Sequence, residues 1–243
     1  VALPPQQHIA CGTTQLNSIE THDARNQPVA LVTQQDGVRL LERYRVPPVD
    51  AEPVFNALVA AYSSPDRYYH NLEHLTEMFE VAGRLAPNTD DSTAVQLAIW
   101  FHDAVYDPRA SDNETRSADL AVDLLSSIGV PGSVIEKVVR LVRATAQLSS
   151  SEPPTDRDTA TLLDADLAIL GSSPARYQRY AADIRKEYAW LPLREYHNGR
   201  TAVLKQFLAR PRIYYHQLTF QQYEERARLN LTTELQQLDN IVA

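Results

Sequence analysis

The sequence predicts an all-α fold, and three observations carry that prediction. Apolar residues recur at i, i+3, i+4 and i+7 through most of the chain, the spacing of one helix face. No stretch alternates apolar and polar residues as a half-buried strand does. Glycine occurs only seven times in 243 residues, which suits long helices with short connections better than a turn-rich sheet.

Taken in order, residues 1 to about 35 are rich in Gln, Thr and Asn without a sustained period. They are expected to form a tail or arm, leaving 36–243 as a single helical domain. Helical pattern begins near Val38 and is stopped by Pro47-Pro48. A second helix is expected from about Pro53 to Tyr62, with Val54, Leu58 and Ala61 at helical spacing. After the turn Ser63–Arg67, the residues Leu72, Leu75, Phe79, Ala82 and Ala86 define one apolar stripe. The loop Pro87–Ser92 supplies Asp and Ser for an N-cap. The next helix, expected to run through Ala98-Ile-Trp-Phe-His-Asp-Ala-Val-Tyr106, is hydrophobic nearly all round and therefore buried. Asp112-Asn113-Glu114 opens another amphipathic helix, closed by Gly129 and Pro131. Val134 to Leu148 is a further core helix, followed by a polar loop from Ser149 to Pro154. Leu162–Leu170 sets Asp164 and Asp166 among apolar residues, and Gly171–Pro174 ends it. Helices at about 175–190, 192–209 and 216–240 complete the chain. The last carries Phe220, Tyr223, Ala227, Leu231, Leu235 and Leu238 on one face, a candidate surface for a homodimer.

Composition narrows the function. A hydrophobic content of 44% and a charged content of 22% are those of an ordinary globular protein. The net charge of −8 argues against a nucleic acid polymer or an anionic membrane as the main partner. No apolar run approaches the ~18–20 residues that cross a bilayer. The first residues lack a signal peptide's basic region and apolar core, and the single cysteine, Cys11, has no partner for an internal disulfide. A cytoplasmic location is the expectation. Asn230-Leu-Thr has glycosylation spacing, which that address and a helical context discount.

Chemistry concentrates where His or Asp interrupts apolar helix. An ionised Asp103 beside His102 in a buried helix needs a partner or a cation, because an unpaired buried carboxylate costs several kcal/mol. A hydrogen-bonded His–Asp pair alone would meet that need. His70 and His74 are four apart and share a helix face, which lies roughly 120–160° from the apolar stripe. Two core histidines would lie on the stripe, so these two point at a separate polar feature. Imidazole and carboxylate together suit a divalent transition ion. Such an ion would also keep buried aspartates ionised.

The order Tyr69-His70-Asn71-x-x-His74, then His102-Asp103, then Ala165-Asp166-Leu167 resembles the HD superfamily of metal-dependent phosphohydrolases. The resemblance runs from about Arg67 to Leu170, and more loosely through the C-terminal helices, and the chain looks most like the predicted metal-dependent HD phosphohydrolases. Its first motif is similar to that of cyclic-nucleotide phosphodiesterases in the same broad superfamily. The resemblance implies an HD-domain helical bundle with extra C-terminal helices. It implies His74, His102, Asp103 and Asp166 as metal ligands, with Asp164 the fallback for the fourth position. Two residues apart, these aspartates face opposed sides of a helix, so only one should ligate. It implies His70 as general acid to the leaving oxygen, and hydrolysis of a phosphate ester (phosphomonoester or phosphodiester, nucleotide or small phosphorylated metabolite) by metal-bound hydroxide.

One departure bears on the metal count. No His occurs between His102 and His197, and Tyr106 stands where the phosphodiesterases have a further His. One divalent ion (Mn, Fe, Zn, Co or Ni) is therefore expected, and di-iron oxygenase chemistry is disfavoured. Glu114 and Asp107 are candidates to orient water; as a helix N-terminal charge and a turn carboxylate they have equally good structural reasons to exist. Arg67 is the first candidate for binding phosphate, followed by Arg116, Lys186, Arg194 and Arg200. His197 is placed at the pocket mouth. The alternative function is a degenerate HD domain that binds a nucleotide or a partner without turnover.

Overall fold

The structure, a computed structural model, describes residues 30–146 and 152–242. The expected arm, up to residue 29, and part of the loop at 149–154 lie outside the described residues. All regular structure among the described residues is helical. Ten helices run in order: α1 Gln34–Glu42, α2 Pro48–Tyr62, α3 Leu72–Leu85, α4 Ser92–Phe101, α5 Asn113–Ser127, α6 Gly132–Thr145, α7 Arg157–Leu167, α8 Pro174–Glu187, α9 Leu193–Ala209 and α10 Gln217–Val242. Short 3₁₀ turns follow α3 and α7. The residues from Leu31 onward form one compact unit. Its edge includes Val32, whose N–H donates to Thr76 Oγ1 at 2.9 Å, so the unit takes in residues a few positions before the expected domain start.

Local chemistry explains the ends. Asp91, Asp156 and Ser173 cap α4, α7 and α8 by accepting from backbone N–H groups of the first turn. Pro48 opens α2 at a position where its missing N–H costs nothing, so that helix starts a turn earlier than the apolar spacing suggests. Gly129 ends α5 at φ +77°, a conformation that a side chain would strain.

Two apolar clusters meet along α7. The first gathers α1 to α6 around α4, whose Ala94, Leu97, Ala98, Ile99, Trp100 and Phe101 are fully buried. Phe55 of α2 meets the Trp100 ring edge-on at 5.3 Å. The second cluster gathers α8 to α10 with Ile169 and Leu170 of the turn after α7. Leu162 and Ala165 of α7 belong to the first cluster, Leu167 to the second. The apolar face of α10 is used here within the chain: Ala227, Leu231 and Leu238 are buried. Among the described residues no helix is long and apolar enough to cross a membrane.

Two expectations need correction. Helix α4 stops at Phe101, so His102 and Asp103 stand at its C-terminus and not in mid-helix. The cause is local: His102 Nδ1 lies 2.8 Å from the Ile99 carbonyl, one of the acceptors left open by the last turn. Helix α3 begins at Leu72, so His70 precedes the N-cap Asn71 and shares no helix face with His74. His74 is buried with its neighbours Leu75, Thr76 and Met78, so the geometry that set both histidines off the stripe does not hold.

Candidate metal centre

Three elements bring four donors together. Asn71 accepts from the N–H groups of Glu73 and His74 and so fixes the first turn of α3, which carries His74. The end of α4 carries His102 and Asp103, and the last turn of α7 carries Asp166. His74 Nε2 and His102 Nε2 are 3.3 Å apart. His102 Nε2 is 3.2 Å from Asp103 Oδ2, and His74 Nε2 is 3.3 Å from Asp166 Oδ1. The ligand atoms of His74, His102 and Asp103 all lie within 4.8 Å of one another. Asp166 joins this group from the His74 side.

The donor set fits a cation. Neutral His102 donates from Nδ1 to the Ile99 carbonyl, which leaves the Nε2 lone pair facing His74 Nε2 and the Asp103 carboxylate. Lone pairs aimed at one another from 3.2–3.3 Å repel unless a positive charge lies between them. Two ligands at ~2.1 Å from one ion and about a right angle apart are separated by about 3 Å, so the spacing fits. Without an ion a proton must do the work. Burial opposes charge on His102, but the Asp103 carboxylate outweighs it and pushes the imidazole up to about 9. Burial likewise opposes ionisation of Asp103, and His102 nonetheless holds it far below the usual carboxylate range. Burial depresses His74.

Asp164 is spent elsewhere. Fully buried, it accepts from Tyr215 N–H and His216 N–H at 2.8 Å each and from the Thr219 hydroxyl, so it caps the start of α10. Asp166, two residues on, is the aspartate that faces the centre.

His70 sits beside the centre, with Nε2 3.9 Å from Asp103 Oδ2. Its other nitrogen, Nδ1, lies 2.6 Å from Glu187 Oε2. Glu187 also accepts from Tyr106 OH at 3.0 Å and from the N–H groups of Tyr69 and His70 at 2.7 and 3.0 Å. Burial disfavours the His70 imidazolium, but the Glu187 hydrogen bond and charge outweigh it and raise its pKa. The Tyr106 ring lies against His70 with centroids 4.3 Å apart. Glu187 escaped the sequence reading. It ends α8, a helix with polar surroundings in sequence, and only the packing of α8 against the Tyr69–His70 turn reveals it.

Two depressions flank this group. His70 lines an apolar one of about 310 Å³ with Ile184, Tyr188, Leu191, Tyr196 and Val203. Arg67, Arg109, Lys186 and Trp190 line the other, about 610 Å³, with Tyr106 and Glu187 on its wall.

The remaining candidates scatter. Arg67 turns inward, its guanidinium donating to the carbonyls of Asp103 at 2.6 Å and Ala104 at 3.0 Å. It holds the loop after α4 in place and has little left for a phosphate. Asp107 borders the larger depression, and its Oδ1 accepts from Arg109 N–H within its own turn. Glu114 stands in the first turn of α5. Arg116 faces Asp112 on the surface, 3.9 Å away, and Arg194 is exposed. Arg200 is buried and donates to Glu234 at 2.8 and 2.9 Å and to Tyr180 OH at 3.2 Å, tying α9 to α10 and α8. His197 is buried in α9, beside Tyr196, and borders neither depression. Lys186 alone of the expected phosphate donors reaches the larger depression with its charge near the surface, beside Asp183.

Comparison with protein-family models, with curated proteins and with solved structures finds no match for the chain.

Proposed function

We propose that the protein is a metal-dependent phosphohydrolase of the HD type, hydrolysing a phosphate ester of a small molecule. The observation that supports this most is the meeting of His74, His102, Asp103 and Asp166, with successive donor atoms 3.2–3.3 Å apart. Two imidazoles and two carboxylates would hold one divalent transition ion. When bound, that ion would lower the pKa of a water and polarise a phosphoryl oxygen.

The chain's own residues supply the rest. As an imidazolium, the form Glu187 favours, His70 donates from Nδ1 to Glu187 and would carry its second proton on Nε2, the nitrogen that faces Asp103. It gives that proton to the leaving oxygen as the P–O bond breaks, while water adds its oxygen to phosphorus; the products are phosphate and an alcohol. Glu187 and the Tyr106 ring fix the imidazole's orientation. The apolar depression beside His70 accepts the departing group, and Lys186 with Arg109 draws anionic substrate toward the larger depression.

The test is metal analysis of protein purified without chelator, followed by turnover of a panel of phosphate esters. One equivalent of a transition metal and hydrolysis of at least one ester are expected. Protein free of metal that cleaves no ester after reconstitution overturns the reading.

A further inference from the structure

Arg210 is a buried cation with unmet donors. It caps the end of α9 and is only 4% exposed. Among the described residues, its Nε and Nη2 have no hydrogen-bond partner. Its guanidinium lies over the Phe207 ring, 4.6 Å from the centroid. Other arginines that enter this fold are answered: Arg200 by Glu234, and Arg176 by Glu77 at 2.6 and 2.7 Å. A guanidinium stays protonated in a protein, and leaving it buried without a counter-charge is costly.

The residue lines a cleft of about 580 Å³, walled by α6 and α7, together with Arg140 and Arg143. An adjoining cleft of about 590 Å³ shares Tyr215 and the Pro153–Asp156 stretch, and adds Arg157 and Arg212. Carboxylates also border this groove. Asp156 is taken by Arg140 at 2.6 Å, and neither Glu136 nor Glu152 hydrogen-bonds Nε or Nη2. The stretch Gln147-Leu-Ser-Ser-Ser151 contains no acid. Val139, Leu163 and Leu167 give the cleft an apolar floor. None of the metal-centre donors borders it.

We propose that this arginine-lined groove is a second binding site, which takes the oxyanion of a small ligand with an apolar body and sets it against Arg210. The oxyanion is a phosphate or a carboxylate. Charge-assisted hydrogen bonds from Nε and Nη2 meet it, and Arg143 on the rim, an exposed side chain 3.3 Å from Asp119, adds a weaker attraction. The site is independent of the proposed hydrolysis.

Inorganic phosphate and succinate, titrated calorimetrically, separate the two oxyanions. The titrations use the unaltered protein, Arg210→Met, Arg143→Gln and His74→Ala. Unaltered protein and His74→Ala should bind one of the two anions equally well. Arg210→Met should bind about tenfold or more weakly, the worth of one charge-assisted hydrogen bond. In anion-free buffer Arg210→Met should melt no lower than the unaltered protein, because an unmet buried charge has been removed. Arg143→Gln changes an exposed residue and keeps the fold testable; it should also weaken binding. Binding that survives both arginine changes and disappears in His74→Ala would put the anion at the metal centre and overturn the proposal. Absence of binding by either anion overturns it too, as does an Arg210→Met protein that melts several degrees lower.

Discussion

Glu187 Oε2 lies 2.6 Å from His70 Nδ1, and the same carboxylate also accepts from Tyr106 OH and from two backbone N–H groups. One buried side chain at the end of α8 therefore sets the position of the whole Tyr69–His70 turn. Glu187→Ala should destabilise the protein by about 3–5 kcal/mol, since it leaves a largely buried imidazole and three other donors unmet. Glu187→Gln retains an acceptor and should cost less. Urea unfolding of both variants measures the difference, and equal losses would mean that the charge is irrelevant.

His70 and His74 should separate by function. His74→Ala removes a donor 3.3 Å from both His102 and Asp166 and should lose metal and turnover together. His70→Ala should keep the metal and lower kcat by about 10²–10⁴-fold, the usual worth of a general acid. That loss should shrink on aryl phosphates, whose leaving groups need less protonation. Metal content and kcat on an alkyl and an aryl ester decide it. Equal losses on both substrates would remove His70 from the proton transfer.

Metal should stabilise the fold. An ion present at about 100 times its Kd contributes about 2.7 kcal/mol, which for a chain of this size raises Tm by about 5–11 °C. Calorimetric scans with and without chelator test this. An unchanged Tm would mean that the aspartates are balanced by protons alone.

Asp156 should make stability depend on acid pH at a site far from the metal. Burial works against its ionisation, but hydrogen bonds from Thr159 and the charge of Arg140 hold its pKa below the usual value. Its folded pKa is depressed, so the contribution is present above the unfolded value of about 3.9 and is lost as pH falls through the folded pKa. Asp156→Asn keeps a good N-cap without a titration. Its unfolding free energy should fall less between pH 5 and pH 2 than that of the unaltered protein.

Gly171→Ala should destabilise by about 1–3 kcal/mol, the cost of overpacking. A Cβ there would overlap the backbone and Cβ of Tyr223, where α10 crosses the turn after α7. Thermal melts of the variant check it; Gly83→Ala, which meets nothing within 4 Å, is the control.

Much of the fold was legible because helical spacing is a local signal. The all-α class and the C-terminal helices followed from residues a few positions apart, such as Ala227, Leu231 and Leu238. Polar residues in apolar runs marked His74, His102, Asp103 and the pair Asp164 and Asp166, while the set of four ligands that includes Asp166 came from the resemblance to the HD superfamily. What depended on distant packing was not legible. Arg67 binds carbonyls because α4 stops at Phe101, and α4 stops there partly because His102 reaches back to Ile99. Glu187 joins His70 across 117 positions, with nothing nearby in sequence to mark it. Asp164 and Asp166 look alike on paper, and only the docking of α10 against α7 distinguishes them.

That docking makes α7 a rigid gauge between two distant regions of the chain. Asp164 is pinned by Tyr215, His216 and Thr219, and Asp166 stands half a turn further along the same rod. Seating α10 thus sets the height at which Asp166 presents its carboxylate to His74. Damage to the C-terminal third, far from any donor atom, would be read at the centre as a ligand out of alignment.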